Sequence, residues 1–145
     1  MFPEASAFKH KCSITIRFVD IDAFNHVNNA HYLTFAEQAR MSYFQEVFED
    51  SIDWKSKGLI LANANIDYKA PVYLNDSIYI YIRCSAIGTK SFSMEYLLVH
   101  EESGKPPVLK ALMKTVLVAY DYVNNRSIEV LEDWKNRINK YESLG

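Results

Sequence analysis

Between positions 17 and 32 the chain reads Arg17-Phe18-Val19-Asp20-Ile21-Asp22-Ala23-Phe24-Asn25-His26-Val27-Asn28-Asn29-Ala30-His31-Tyr32. Two carboxylates lie on a polar bend just ahead of a stretch that turns helical. A helix N-terminus presents free N–H groups and the positive end of a dipole. A carbonyl oxygen held there is polarised as negative charge builds on it. A carboxylate on the facing bend could attack that carbonyl or deprotonate a water. Those are the parts that hydrolysis of an ester or thioester requires.

The elements that must position these groups follow from periodicity. Ile14, Ile16 and Phe18 alternate with Thr15 and Arg17, which predicts a strand over Ser13 to Val19. A helix is expected from Asn28 or Asn29, both good N-caps, to about Phe48. Ala30, Leu33, Ala36, Phe44 and Val47 lie on one side of it, and Tyr32, Phe35 and Ala39 widen that side. A helix apolar over so much of its circumference is expected to be largely buried. Gly58 opens a second strand through Ala62, Ala64, Ile66 and Tyr68, which Pro71 closes. Further strands are predicted through Ile78 to Arg83, Phe92 to Leu98 and Val108 to Tyr120, separated by Asn75-Asp76, Gly88-Thr89 and a polar 101–107 loop. Ile128, Leu131, Ile138 and Tyr141 recur at helical spacing, with Ser127 as N-cap and Glu129, Glu132 and Asp133 suited to a helix start. Four consecutive strands after one helix mean antiparallel hairpins, hence an α+β fold. A long apolar helix needs a wrapping, and a curved antiparallel sheet is the object available.

The 145 residues, with neither repeat nor linker, predict one domain, 1–145. Net charge is −2 and the pI about 6.1, so no basic field points to nucleic acid or an anionic membrane. No apolar stretch approaches the roughly 20 residues that span a bilayer. The first residues lack the layout of a signal peptide. Cys12 and Cys84 form neither CxxC nor metal spacing and are read as reduced thiols, so a cytoplasmic location is expected.

The segment D-x-D-x-x-x-H-V-N-N-x-x-Y, here Asp20 to Tyr32, resembles the N-terminal motif of the 4-hydroxybenzoyl-CoA thioesterase family of the hotdog superfamily. The likeness continues through Phe35, Glu37, Ala39 and Arg40, through Ile66-Asp67-Tyr68 with Pro71, and through Lys90-Ser91-Phe92. The resemblance implies a hotdog fold and hydrolysis of an acyl-CoA. It implies that Asp22 is the nucleophile or general base and that the Asn29 backbone N–H polarises the carbonyl. It also implies that Lys90 and Ser91 contact the CoA nucleotide, a lysine near the 3′-phosphate making electrostatic sense. It places the active site between subunits, so a homodimer or homotetramer is expected. CoA is part of the substrate, so no cofactor is expected.

Each residue also has a plainer role open to it. Asp22 can cap the bend or the helix, and Asp20 reads as a turn former paired with Arg17. His26 can act as acid/base, orient substrate, or fix the loop by hydrogen bonds. His26 and His31 lack the H-E-x-x-H spacing and a third partner, so no metal is expected. Glu37 and Arg40, three apart on the helix, can pair. Asn63 and Asn65 face one side of a strand, toward a cleft or a second subunit. Two other functions keep the same fold: an acyl-thioester hydratase or dehydratase, built on a His with a carboxylate, and a non-catalytic acyl-CoA or acyl-carrier binding module.

Overall fold

The computed structural model describes residues 3–144. Its elements are β1 (His10–Ile14), α1 (His31–Phe48), β2 (Lys57–Tyr68), β3 (Ile78–Ile87), β4 (Ser91–His100), β5 (Val108–Asp121), β6 (Arg126–Ser127) and α2 (Glu132–Glu142), with 3-10 turns at Pro3–Ala7 and Phe18–Asp20. One antiparallel sheet runs in the order β1-β3-β4-β5-β2, and β6 pairs with β5. Register shifts fall between Leu61 and Asn63, Cys84 and Ala86, and Leu98 and Val99. Such bulges bend strands and raise their twist, which curls the sheet.

Alternation decides which side chains meet α1. Ile78, Ile80, Ile82 and Cys84 of β3, Phe92, Met94, Tyr96 and Leu98 of β4, and Ala111, Met113, Leu117 and Ala119 of β5 form one core with Tyr32, Phe35, Ala36, Ala39, Tyr43, Phe44, Val47 and Phe48 of the helix. Ala36 and Ala39 are fully buried, and their small side chains let helix and sheet approach closely. On the opposite face, Ala5 and Phe8 cover Tyr81, Leu97 and Val99. This is the hotdog architecture, a curled sheet around a long helix.

Four expectations need correction. The first strand ends at Ile14 instead of running to Val19. Beyond it the chain turns through Phe18–Asp20, and Phe18 is 83% exposed. The cause is Asp20, whose buried carboxylate accepts from the Arg17 N–H and pulls the chain into a turn. The helix is one-sided, not buried all round: Leu33 and Met41 are exposed because the sheet covers a single side. Ser127 caps nothing; it lies in β6 opposite Tyr120. A tight turn precedes it, in which the Asp121 carboxylate accepts from the Val123 and Asn124 N–H groups and Asn125 has φ 52°. The last helix starts only at Glu132. Glu37 and Arg40 do not pair among the described residues. Arg40 faces inward and donates to the Tyr96 hydroxyl at 3.2 Å.

The last helix is locked to the core by one carboxylate. Glu142 accepts from the Tyr43 hydroxyl at 2.7 Å and from the Cys84 N–H at 2.8 Å. Trp134 is buried against Phe48. Both cysteines are free, and burial pushes the Cys84 thiol up to about 12, which keeps it protonated and inert.

β2 is one edge of the sheet, and the much shorter β1 is the other. Among the described residues only β5 pairs with β2, and Ala62 to Asn65 are exposed on both faces. An edge of that length is normally covered or protected.

Candidate active site

The bend before α1 is built on Asp20, which is fully buried. Its carboxylate accepts from the Arg17 N–H and Nη2, each at 2.8 Å, and lies 2.7 Å from His31 Nδ1 at the helix start. Its carbonyl accepts from the Asn28 N–H. The turn-former reading of Asp20, with Arg17 as partner, therefore holds, and the residue also ties the bend to the first turn of α1. Burial by itself would raise this carboxyl, but the hydrogen bonds from Arg17 and His31 outweigh it and hold the pKa at about 2.

A group depressed in the folded state stabilises above its unfolded pKa and loses that contribution as pH falls through its folded pKa. Asp20 is thus expected to contribute about 2 kcal/mol near neutrality, lost between about pH 4 and pH 2. Urea unfolding across that range tests this. Asp20→Asn should be less stable at pH 7 and should show a shallower acid loss than wild type; equal slopes would contradict it.

Between Asp20 and Asn28 the chain forms a pinched loop. Ile21 bridges Val27, the Asp22 N–H donates to the His26 carbonyl at 3.0 Å, and Asn25 has φ 66°. Asparagine tolerates that left-handed geometry better than most residues. The Val27 N–H donates to the Val72 carbonyl at 2.8 Å, anchoring the loop to the segment after β2. The pinch brings Asp22 and His26 side by side, Oδ1 to Nδ1 4.0 Å, a distance too long for a hydrogen bond. Asp22 Oδ1 accepts from the Phe24 N–H at 2.8 Å, and its side chain keeps 23% of its surface. His26 stacks on Phe24, with its Nδ1 3.4 Å from the Val27 carbonyl.

The helix starts later than its asparagines suggested. Asn28 Oδ1 accepts from the Ala30 N–H at 3.0 Å, the role expected of a cap, but one turn ahead of the first helical residue, His31. Among the described residues the Asn29 side chain caps nothing. The Asn29 backbone carbonyl takes hydrogen bonds from the Tyr68 hydroxyl at 3.0 Å and the Tyr32 N–H at 3.4 Å. Among the described residues its N–H has no acceptor. His26, Asn29, Tyr32, Tyr68, Lys69, Ala70 and Pro71 line a recess of about 270 Å³.

The structure therefore gathers Asp22, His26 and Asn29 at one end of the fold. It does not bring Lys90 and Ser91 to them. Ser91 pairs with Val118, which pairs with Ile60 at the start of β2, whereas Tyr68 at the recess is at its end. Eight residues of strand separate the two ends, roughly 25 Å. Lys90 is exposed there. Among the described residues no group of three or more His, Cys, Asp or Glu is arranged to hold a metal ion.

In the sequence the Tyr68 hydroxyl, Lys69 and Ala70 carry no site role, Pro71 figures only in a matching segment, and His31 only as a metal ligand set aside. Tyr68 lay within a matching segment and carried that much signal. The contacts of His31 and the wall depend on tertiary packing and left none.

Comparison with known proteins agrees with this fold. The profile of the Thioesterase-like superfamily matches residues 16–138. Over 95 residues the chain is 30% identical to the long-chain acyl-CoA thioesterase FadM of Escherichia coli, covering 63% of this chain and 70% of that one. A similar match to YsmA of Bacillus subtilis, an uncharacterised protein, spans 62% of that relative's length. Among solved structures, a Thermus thermophilus thioesterase complexed with coenzyme A and Zn is 29% identical, with TM-score 0.81 over 96% of this chain and 98% of that one. A mutant 4-hydroxybenzoyl-CoA thioesterase complexed with its substrate shares the fold at 18% identity, with TM-score 0.79 over 89% and 97%.

Proposed function

The chain belongs to the thioesterase-like superfamily, and on that premise we propose that it hydrolyses an acyl-CoA to free acid and CoA. One observation carries the site: His26 and Asn29 line one recess, the Asn29 backbone N–H has no acceptor among the described residues, and a partly exposed carboxylate, Asp22, lies beside His26. In this reading Asp22 attacks the thioester carbonyl or takes a proton from the attacking water. The Asn29 N–H receives the oxygen as it gains charge, and Tyr68, bound to the Asn29 carbonyl, holds that peptide in orientation. The CoA thiolate leaves. With attack by Asp22, water then cleaves the acyl-enzyme anhydride. His26 packs beside Asp22 and fixes the loop.

The likeness to FadM supports CoA as the carrier. Two free cysteines suit the reducing cytoplasm. No helix among the described residues is long and apolar enough to cross a membrane.

The working unit in this proposal is at least a dimer. Antiparallel pairing of one open β2 with a second copy would set the Tyr68 end of one protomer near the start of β2 in the other. Lys90 and Ser91 would then serve the partner's site, with the lysine on the CoA 3′-phosphate.

Two substrates of equal chain length separate this function from its rivals. A thioesterase releases thiol from a saturated acyl-CoA. Turnover confined to the 2-enoyl thioester, with its absorbance lost and no thiol formed, would make the protein a hydratase. Tight CoA binding with neither change would make it a binding module.

A further inference from the structure

Lys110 is charged and 6% exposed, and the chemistry above leaves it idle. It is the extra residue of the bulge in β5: Leu98 pairs with Ala111, Val99 with Leu109, and Lys110 has no partner in β4. Freed from the ladder on that side, its backbone and side chain both serve the segment that follows β2. Its carbonyl accepts from the Lys69 N–H at 2.9 Å and the Ala70 N–H at 3.1 Å. Its Nζ donates to the Pro71 carbonyl at 2.8 Å. Three successive residues, the ones that wall the recess, thus hang on one side chain and its peptide.

The charge is balanced within the same loop. Asp76 Oδ2 lies 3.2 Å from Nζ and also accepts from the Tyr73 N–H at 2.9 Å, closing the Tyr73–Asp76 turn. Between these anchors is Val72, fully buried, whose carbonyl takes the Val27 N–H. Val27 sits between His26 and Asn28. The chain of contacts therefore runs from Lys110 through Pro71 and Val72 to the loop that carries Asp22, His26 and Asn29.

We infer that Lys110 is a positioning residue for this site: it sets the 69–72 wall, and through the Val72–Val27 hydrogen bond it fixes the loop bearing the reacting groups. The inference rests on the hydrolytic reading of the site for its kinetic consequence, but not for its structural one. Bulges next to sites commonly re-aim side chains in this manner, and small misplacement of reacting groups can cost orders of magnitude in rate.

The test is Lys110→Met combined with Asp76→Asn, so that no charge is stranded in the interior, with Lys110→Arg as the conservative variant. Two quantities are read on the folded proteins: amide exchange at Val27, Lys69 and Ala70, and kcat and KM on an acyl-CoA. The expected result is faster exchange at Val27 and the wall, with kcat down by about tenfold or more and KM nearly unchanged. Arginine, which can donate to both Pro71 and Asp76, recovers much of both losses and stands as the readable variant should the double variant not fold. Unchanged exchange at Val27 would overturn the inference. So would an unchanged kcat in a folded double variant, which leaves Lys110 a purely structural residue. If wild type releases no thiol at all, the hydrolytic reading fails by itself, and the exchange rates alone decide whether Lys110 sets the loop.

Discussion

Asp22→Asn is expected to lower kcat on an acyl-CoA by about two orders of magnitude or more, with little change in stability. The asparagine has nearly the same shape, and its Oδ1 can still accept the Phe24 N–H that Asp22 holds at 2.8 Å. The bend is therefore kept while the charge is removed. An amide cannot form the acyl-enzyme anhydride and is too weak a base to activate water. Asp22→Ala removes the acceptor as well, so it should lose the same activity and some stability besides. A bend-capping role alone predicts the opposite ranking: the asparagine variant active, the alanine variant merely less stable. Folded Asp22→Asn with wild-type kcat would remove Asp22 from the chemistry and leave the superfamily assignment untouched. Substitution of Asn29 is a poorer probe, since its side chain caps nothing and its N–H survives any replacement except proline.

The second large effect concerns which protomer supplies which residue. Within one chain, Asp22 and Lys90 sit at opposite ends of the sheet, roughly 25 Å of strand apart. If both serve one CoA thioester, they come from different copies. Asp22→Ala protomers alone should be inactive. Lys90→Glu protomers alone should bind CoA poorly and turn over slowly at low substrate. Mixed dimers of the two contain one site with both substitutions and one with neither. Random mixing should restore about a quarter of the wild-type rate, with wild-type KM, from two preparations that lack it. Absence of any such recovery in mixtures shown to exchange subunits would mean that Lys90 serves no shared site, and that the open β2 edge is covered in some other way.

Much of the fold was legible because its signals are local. Ile78, Ile80 and Ile82, or Phe92, Met94 and Tyr96, alternate since one face of each strand meets the helix. What failed was decided by partners distant in sequence or by competing local bonds. Ile14, Ile16 and Phe18 alternate like a strand, yet the Arg17–Asp20 hydrogen bonds turn the chain after Ile14. Leu33 reads as core, but the sheet lies on the other side of the helix. Ser127 looks like a cap, yet its backbone is taken by a hairpin to Tyr120. The grouping of Asp22, His26 and Asn29 was readable because ten residues of one bend contain all three. The distance to Lys90 was not, since it depends on β2 crossing to the far edge beside β5. The wall at 69–71 escaped for the same reason: its anchor, Lys110, is some forty residues on, and a lone lysine in a strand carries no pattern.

The central claim is that this protein cleaves acyl-CoA thioesters, and the most direct test is release of free thiol by the wild-type protein from short, long and aromatic acyl-CoAs, with the free acid identified alongside. The account predicts turnover of at least one of them, yielding one acid per thiol. No thiol from any member, with folded and CoA-binding protein, would contradict it.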